Sequence, residues 1–135
     1  MAPCTHENRT ERTRLGNFPR LLHQTGVSRK INKVYVPFVL SWIRNHAGDG
    51  WQYKFRDDKN NRDFVAKNFP FFLKSYDGFK QGVQRADAVR YMLLYKYGGI
   101  YADLDTTCIQ PFDSLLEEMN DKGEEPTILV LYLWY

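Results

Sequence analysis

Val83–Asp105 reads VQRADAVRYMLLYKYGGIYADLD, and this stretch decides the fold. From Val83 to Tyr97 there is no Gly or Pro, and Ala86, Val89, Leu93, Leu94 and Tyr97 recur at helical intervals. Gly98 and Gly99 follow with the chemistry of a helix C-terminus. Ile100–Leu104 (IYADL) then has the length and composition of a strand. A helix, a double glycine and a strand make a tight return, the unit from which layered α/β domains are built.

The same alternation runs upstream. Leu21 and Leu22, followed by polar His23, Gln24 and then Gly26, predict a short buried strand with a polar tip, where α/β proteins place ligand groups. Pro37 opens a helix that carries Val36, Val39, Leu40 and Ile43 at helical spacing, and Gly48 stops it. Trp51, Tyr53 and Phe55 alternate with polar residues as a strand. Asp57 and Asp58 are N-cap candidates for a helix with Phe64, Val65 and Phe69 inward. After Pro70 a short helix is expected to carry Phe71, Phe72 and Tyr76 into the core until Gly78. Downstream, Pro111–Met119 reads as a helix and Thr127–Leu133 as a last strand. Residues 1–17 are expected to be a disordered leader, and residues 18–135 one α/β domain.

The composition fits that size. With 135 residues, 43% apolar and 16% aromatic, the chain can bury one core. Its net charge of +3 is unevenly spread: residues 1–102 carry 18 basic and 8 acidic side chains, residues 103–135 one basic and 8 acidic. A basic part beside an acidic pair suits a polyphosphate with a cation; a nucleic acid would suit the basic surplus equally. Two cysteines, Cys4 and Cys108, suggest neither a disulfide framework nor a thiolate metal site. The longest apolar run, Ile128–Tyr135, is eight residues, against the roughly 20 that cross a bilayer. Met1–Arg14 lacks the apolar core of a signal peptide, so no membrane segment is expected.

The chemistry concentrates at Asp103 and Asp105. On an extended backbone residues two apart point the same way, so both carboxylates are expected to face one ligand. A hard divalent cation, Mn²⁺ or Mg²⁺, takes such oxygen donors and shares its shell with substrate phosphates. Random placement of 10 aspartates in this chain already gives about 0.7 such pairs, so the motif needs context. That context is the preceding helix, where Asp87 and Arg90 are three apart on one face and are at least an intrahelical ion pair. The alternative is that Arg85 and Asp87 lie beside the strand bearing Asp103. Helix start and strand end are expected to lie far apart unless a loop joins them.

Gln84–Tyr91 (QRADAVRY), Tyr97–Asp105 (YGGIYADLD) and Pro19–Thr25 (PRLLHQT) occur in the order and at the spacing of one known family. Across about residues 18–116 the chain resembles the DXD-containing glycosyltransferases of family 32. Asn68–Leu73 (NFPFFL), followed by the Arg85-Ala86-Asp87 helix, is most similar to those that mannosylate inositol phosphoceramide, and less so to those that extend N-glycan outer chains, which are the alternative. The resemblance implies a GT-A, Rossmann-like fold, incomplete here on the acceptor-forming side beyond Tyr135. Asp103 and Asp105 would hold Mn²⁺ or Mg²⁺ and the donor diphosphate and so form the catalytic pair. GDP-mannose is the expected donor, with a UDP-sugar as the alternative, and a glycolipid or glycan the acceptor. Asp87 would contact the nucleotide and Arg90, with Arg85 nearby, would hold the donor, while His23 and Gln24 border its pocket. Tyr101 either shares the site or packs in the core. Transfer with retention and a Golgi or endomembrane lumen follow from the resemblance alone.

Three other readings remain. An inactive nucleotide-sugar-binding domain would bind donor without transfer. A metal-dependent nuclease or phosphatase would use the same carboxylates but lacks the further acids and His that such sites add. A basic RNA-binding module would rest on Arg9, Arg12 and Arg14, and no nucleic-acid partner is expected.

Overall fold

The computed structural model describes residues 18–48, 50–124 and 128–130; the leader, Thr127 and Leu131–Leu133 lie outside them. Four strands form one parallel sheet: β1 (Leu21–Thr25), β2 (Gln52–Arg56), β3 (Gly99–Tyr101) and β4 (Ile128–Val130), in the order β2-β1-β3-β4. The helices are α1 (Val36–Asn45), α2 (Asp58–Asn68), α3 (Leu73–Gly78), α4 (Gly82–Tyr97) and α5 (Asp113–Asp121), with a 3-10 turn at Pro70–Phe72. Parallel neighbours require crossovers, and the helices supply them.

Strand pleating divides the core in two. Leu22 sits beside Tyr53 and Ile100 in the ladder, and these pack with Trp42 of α1 and Leu116 of α5. One residue on, His23 sits beside Tyr101, whose ring joins Phe64 and Val65 of α2, Tyr76 of α3 and Val89, Leu93 and Leu94 of α4. Each of the three buried leucines on β1 and α4 contributes about 2 kcal/mol over its exposed state. Helices therefore cover both faces, which is the α/β, GT-A type of architecture.

The decisive segment folds largely as its sequence predicts. Gln84 accepts from the Gln81 backbone at 3.1 Å in a capping box that opens α4. At its other end Gly98 donates to the Leu94 carbonyl at 2.8 Å. Gly99 has φ +90, and a Cβ there would run into the Leu21 carbonyl, with Leu21 Cβ at 2.9 Å. Only glycine lets β3 start this close to β1. Asp57 caps α2 by accepting from Asn60 N at 2.8 Å.

Four expectations are corrected. The strand ends at Tyr101, so Asp103–Asp105 is not extended. Val36, Leu40 and Ile43 are exposed, because α1 turns Val39 and Trp42 inward; the Trp42 indole donates to the Thr106 carbonyl at 2.8 Å and stacks on His46 and Phe112. Phe71 is 82% exposed, since the turn after Pro70 is 3-10 and eclipses the helical spacing. The helix after Pro111 runs Asp113–Asp121, two residues late.

Candidate active site

Beyond β3 the ladder continues for one bond, Ala102 N to the His23 carbonyl at 3.1 Å, and then the chain turns. The Asp103 carbonyl accepts from Thr106 N at 3.2 Å and from the Thr106 hydroxyl at 2.6 Å, which closes a four-residue turn with Leu104 and Asp105 at its centre. Gln24 reaches the same carbonyl at 3.1 Å. The two carboxylates are thus presented by a turn rather than by a pleat. Asp103 is partly covered and Asp105 is exposed.

Arg90 gathers the acids. Its Nη2 lies 3.1 Å from Asp87 Oδ1 and 3.0 Å from Asp103 Oδ1, and its side chain is 8% exposed. The guanidinium stands 4.9 Å over the Tyr101 ring. The intrahelical pair is therefore real and is also half of a bridge from α4 to the turn. The separation of helix start and strand end that the sequence left open is small: Gly82, Val83 and Ala86 line one cleft with Leu104 and Asp105. A helix climbs about 1.5 Å per residue and a strand about 3.3 Å, so Arg90, eight residues before Gly98, meets Asp103, five residues after it. Burial pushes the Asp103 pKa up; Arg90 opposes that, while Asp105 and Asp87 add to it. Two carboxylates share the Arg90 cation, and Asp105 adds negative charge on the same turn, a surplus that a divalent ion would offset.

Beside this turn opens a cleft of about 400 Å³. It is lined by the loop after β1 from Thr25 through Lys30 to Tyr35, by Asp58, by Gly82, Val83 and Ala86 at the start of α4, and by Leu104 and Asp105. The β1–β2 connection leaves over one face of the sheet and the β2–β3 connection over the other, so the crevice outside the ends of β1 and β3 is the switch point where open α/β sheets bind ligands.

Of the residues singled out in the sequence, Asp105 lines the cleft, and Asp103 shares its turn. Asp87 is exposed at the Arg90 bridge. Arg85 is turned away, its Nη1 donating to the Phe79 carbonyl at 2.8 Å and so holding the approach to α4. Tyr101 is buried, its hydroxyl 2.7 Å from Thr25 Oγ1, with its pKa raised by burial. His23 and Gln24 are fully buried, Gln24 against the turn, and neither lines the cleft. His23 Nε2 donates to the Gly98 carbonyl at 3.0 Å, and Arg56 donates to Nδ1 at 3.2 Å. Burial first, then the charges of Arg56 and Lys54, bring its pKa down to about 4 against the Gly98 bond, so the ring is neutral.

The sequence reading missed Lys30 and Tyr35, whose signal was their place just after the first strand, and Thr106, which carried none. Asp103 and Asp105 suit a hard cation: both are oxygen donors, and the Asp105 side chain makes no hydrogen bond or ion pair among the described residues. No group of three or more His, Cys, Asp or Glu capable of holding a metal occurs among those residues. Two carboxylates match a Mg²⁺ or Mn²⁺ ion that completes its shell with substrate phosphates and water.

The family model described as the glycosyltransferase sugar-binding region containing DXD motif matches residues 33–121. Inositol phosphoceramide mannosyltransferase 3 of Schizosaccharomyces pombe is 41% identical over 98 residues, 73% of this chain and 27% of the relative. The mannosyl phosphorylinositol ceramide synthase CSH1 of Saccharomyces cerevisiae is 33% identical over 99 residues, 73% and 26% respectively. The initiation-specific alpha-1,6-mannosyltransferase of the same yeast is 30% identical over 77 residues, 55% and 16%. The chain thus spans about a quarter of the length of the first two relatives. No solved structure gives a significant match.

Proposed function

The chain belongs to the glycosyltransferases whose sugar-binding region contains a DXD motif, and on that premise we propose that it forms the donor-binding part of a metal-dependent mannosyltransferase. The observation that carries this is the turn: Asp105 opens into the cleft at the sheet's switch point, and Asp103 is tied through Arg90 to Asp87. The proposed donor is GDP-mannose. The proposed acceptor is a glycolipid of the inositol phosphoceramide class, because relatives named for that substrate share up to 41% identity; a glycan acceptor is the alternative.

Asp103 and Asp105 would hold the divalent ion, which supplies Lewis-acid neutralisation of the charge growing on the departing diphosphate. Lys30, on the loop after β1, offers a further cation to phosphate oxygens in the same cleft. Arg90 works against the burial that raises the Asp103 pKa and so favours the carboxylate form. The proposed stereochemistry is retention, for which an acceptor attacking from the leaving-group side would require no separate base. The proposed compartment is a Golgi or endomembrane lumen; among the described residues no helix is long and apolar enough to cross a membrane.

Thermal unfolding of the full chain with GDP, UDP and their mannose and glucose conjugates, each with and without Mn²⁺ or Mg²⁺, tests the reading. A ligand at 100 times its Kd adds about 2.7 kcal/mol to native stability. GDP-mannose is expected to stabilise only in the presence of metal. Stabilisation that ignores metal, or is absent for every nucleotide, would overturn the proposal.

A further inference from the structure

The turn that bears the acidic pair rests on a buried polar chain. Tyr53, on the outer strand β2, donates its hydroxyl proton to Gln24 Oε1 at 2.9 Å. Gln24, fully buried on the central strand β1, donates through Nε2 to the Asp103 carbonyl at 3.1 Å. From the far side Thr106 donates to the same carbonyl through both its amide and its hydroxyl, and Trp42 Nε1 donates to the Thr106 carbonyl at 2.8 Å and approaches its hydroxyl at 3.2 Å. One carbonyl oxygen therefore has donors from β1 and from its own turn.

Two features mark Gln24 as more than packing. A carbonyl oxygen has two lone pairs, and Thr106 alone brings two donors, so the Gln24 bond is not needed to satisfy Asp103. What it adds is direction, since among the described residues it is the contact that ties this carbonyl to β1. Tyr53 fixes which end of the amide faces the turn. A reversed amide would set Oε1 against the Asp103 oxygen, and burial pushes the Tyr53 pKa up to about 12, so its hydroxyl stays a donor.

We propose that Gln24 is a positioning residue: oriented by Tyr53, it holds the Asp103 carbonyl and thereby sets the attitude of the turn that carries Asp103 and presents Asp105 to the cleft. The inference rests on the reading of that turn as metal-binding. It assigns Gln24 a role through Asp103 rather than a contact with the nucleotide.

The test uses the full chain and the variants Gln24→Met, Tyr53→Phe, the double variant and Asp105→Asn. Mn²⁺ binding is followed by the loss of the free-ion paramagnetic resonance signal, alone and with GDP. Backbone hydrogen exchange across residues 102–106 is followed in the metal-free protein. Gln24→Met and Tyr53→Phe are each expected to weaken Mn²⁺ binding about tenfold, in the range for partners that orient metal ligands. They should also speed exchange at Thr106 about tenfold while leaving α4 unchanged. The double variant is expected to bind no more weakly than Gln24→Met, because Tyr53 acts through Gln24; additive losses would contradict that order. Parental affinity in both single variants, with Asp105→Asn impaired, overturns the positioning role and leaves the metal site standing. If the parent binds no Mn²⁺, the metal reading falls, and exchange at Thr106 alone decides: unchanged exchange overturns the inference, accelerated exchange upholds Gln24 as what sets the turn.

Discussion

His23 gives the fold a calculable acid sensitivity. The ring is fully buried and keeps its pKa near 4, against 6.5 for the free side chain. Between those values the unfolded chain binds a proton that the folded chain refuses, so stability rises with pH there. The contribution is complete above pH 6.5 and is lost as pH falls through about 4. A shift of this size is worth about 3 kcal/mol, most of which is gone at pH 4.5. That is a large part of the 5–15 kcal/mol typical of a domain. His23→Gln keeps a donor for the Gly98 carbonyl but cannot titrate. It should be less stable than the parent by about 1–2 kcal/mol at pH 7.5, and the difference should vanish or reverse by pH 4.5. Urea unfolding of both proteins at pH 7.5, 6.5, 5.5 and 4.5 measures this, since other titrating groups are common to the pair. Parallel stability curves would refute the account of His23 as a neutral strut between β1 and the end of α4.

Asp105→Asn should weaken Mn²⁺-dependent GDP-mannose binding at least tenfold by calorimetry and leave stability within about 0.5 kcal/mol, because the exposed side chain holds nothing in the fold. Asp121→Asn is the matched control; Asp113 is unsuitable because it accepts from the Trp51 indole at 3.2 Å. Arg90→Ala should cost about 3 kcal/mol in urea unfolding, since it removes the bridge between Asp87 and Asp103. Loss below about 1 kcal/mol would mean that the bridge is not holding α4 to the turn. Gly99→Ala should lower the melting temperature by more than about 10 °C, from left-handed strain plus collision with the Leu21 carbonyl; a melt within a few degrees of the parent would contradict the close β1–β3 approach.

What the sequence made legible was local. Helical spacing from Val83 to Tyr97 and the double glycine need no distant partner to be read, and α4 and the start of β3 fall where they predict. The end of β3 was not legible. Ile100–Leu104 alternates as a strand would, but the bonds that bend the chain at Asp103 include one from Gln24, 79 residues away. On α1 the apolar residues form two stripes, and periodicity alone does not choose between them. Trp42 decides for its own side because its indole has a partner in Thr106 and rings to stack on.

The same reasoning explains His23 and Gln24. A polar tip on a strand was read as a ligand contact, and for an edge strand with an open end that inference is fair. β1 is instead the central strand, with β2 on one side and β3 on the other, and its last residues are roofed by the turn after β3. Polar side chains there must find protein partners, and they do so in the carbonyls of Gly98 and Asp103. The ligand-facing surface therefore begins one residue later, at Thr25 and Gly26, where β1 leaves the sheet. Where a motif's polar residues sit on a central strand, their chemistry is to be sought in what they support, and the groups that meet the ligand in the loop that follows.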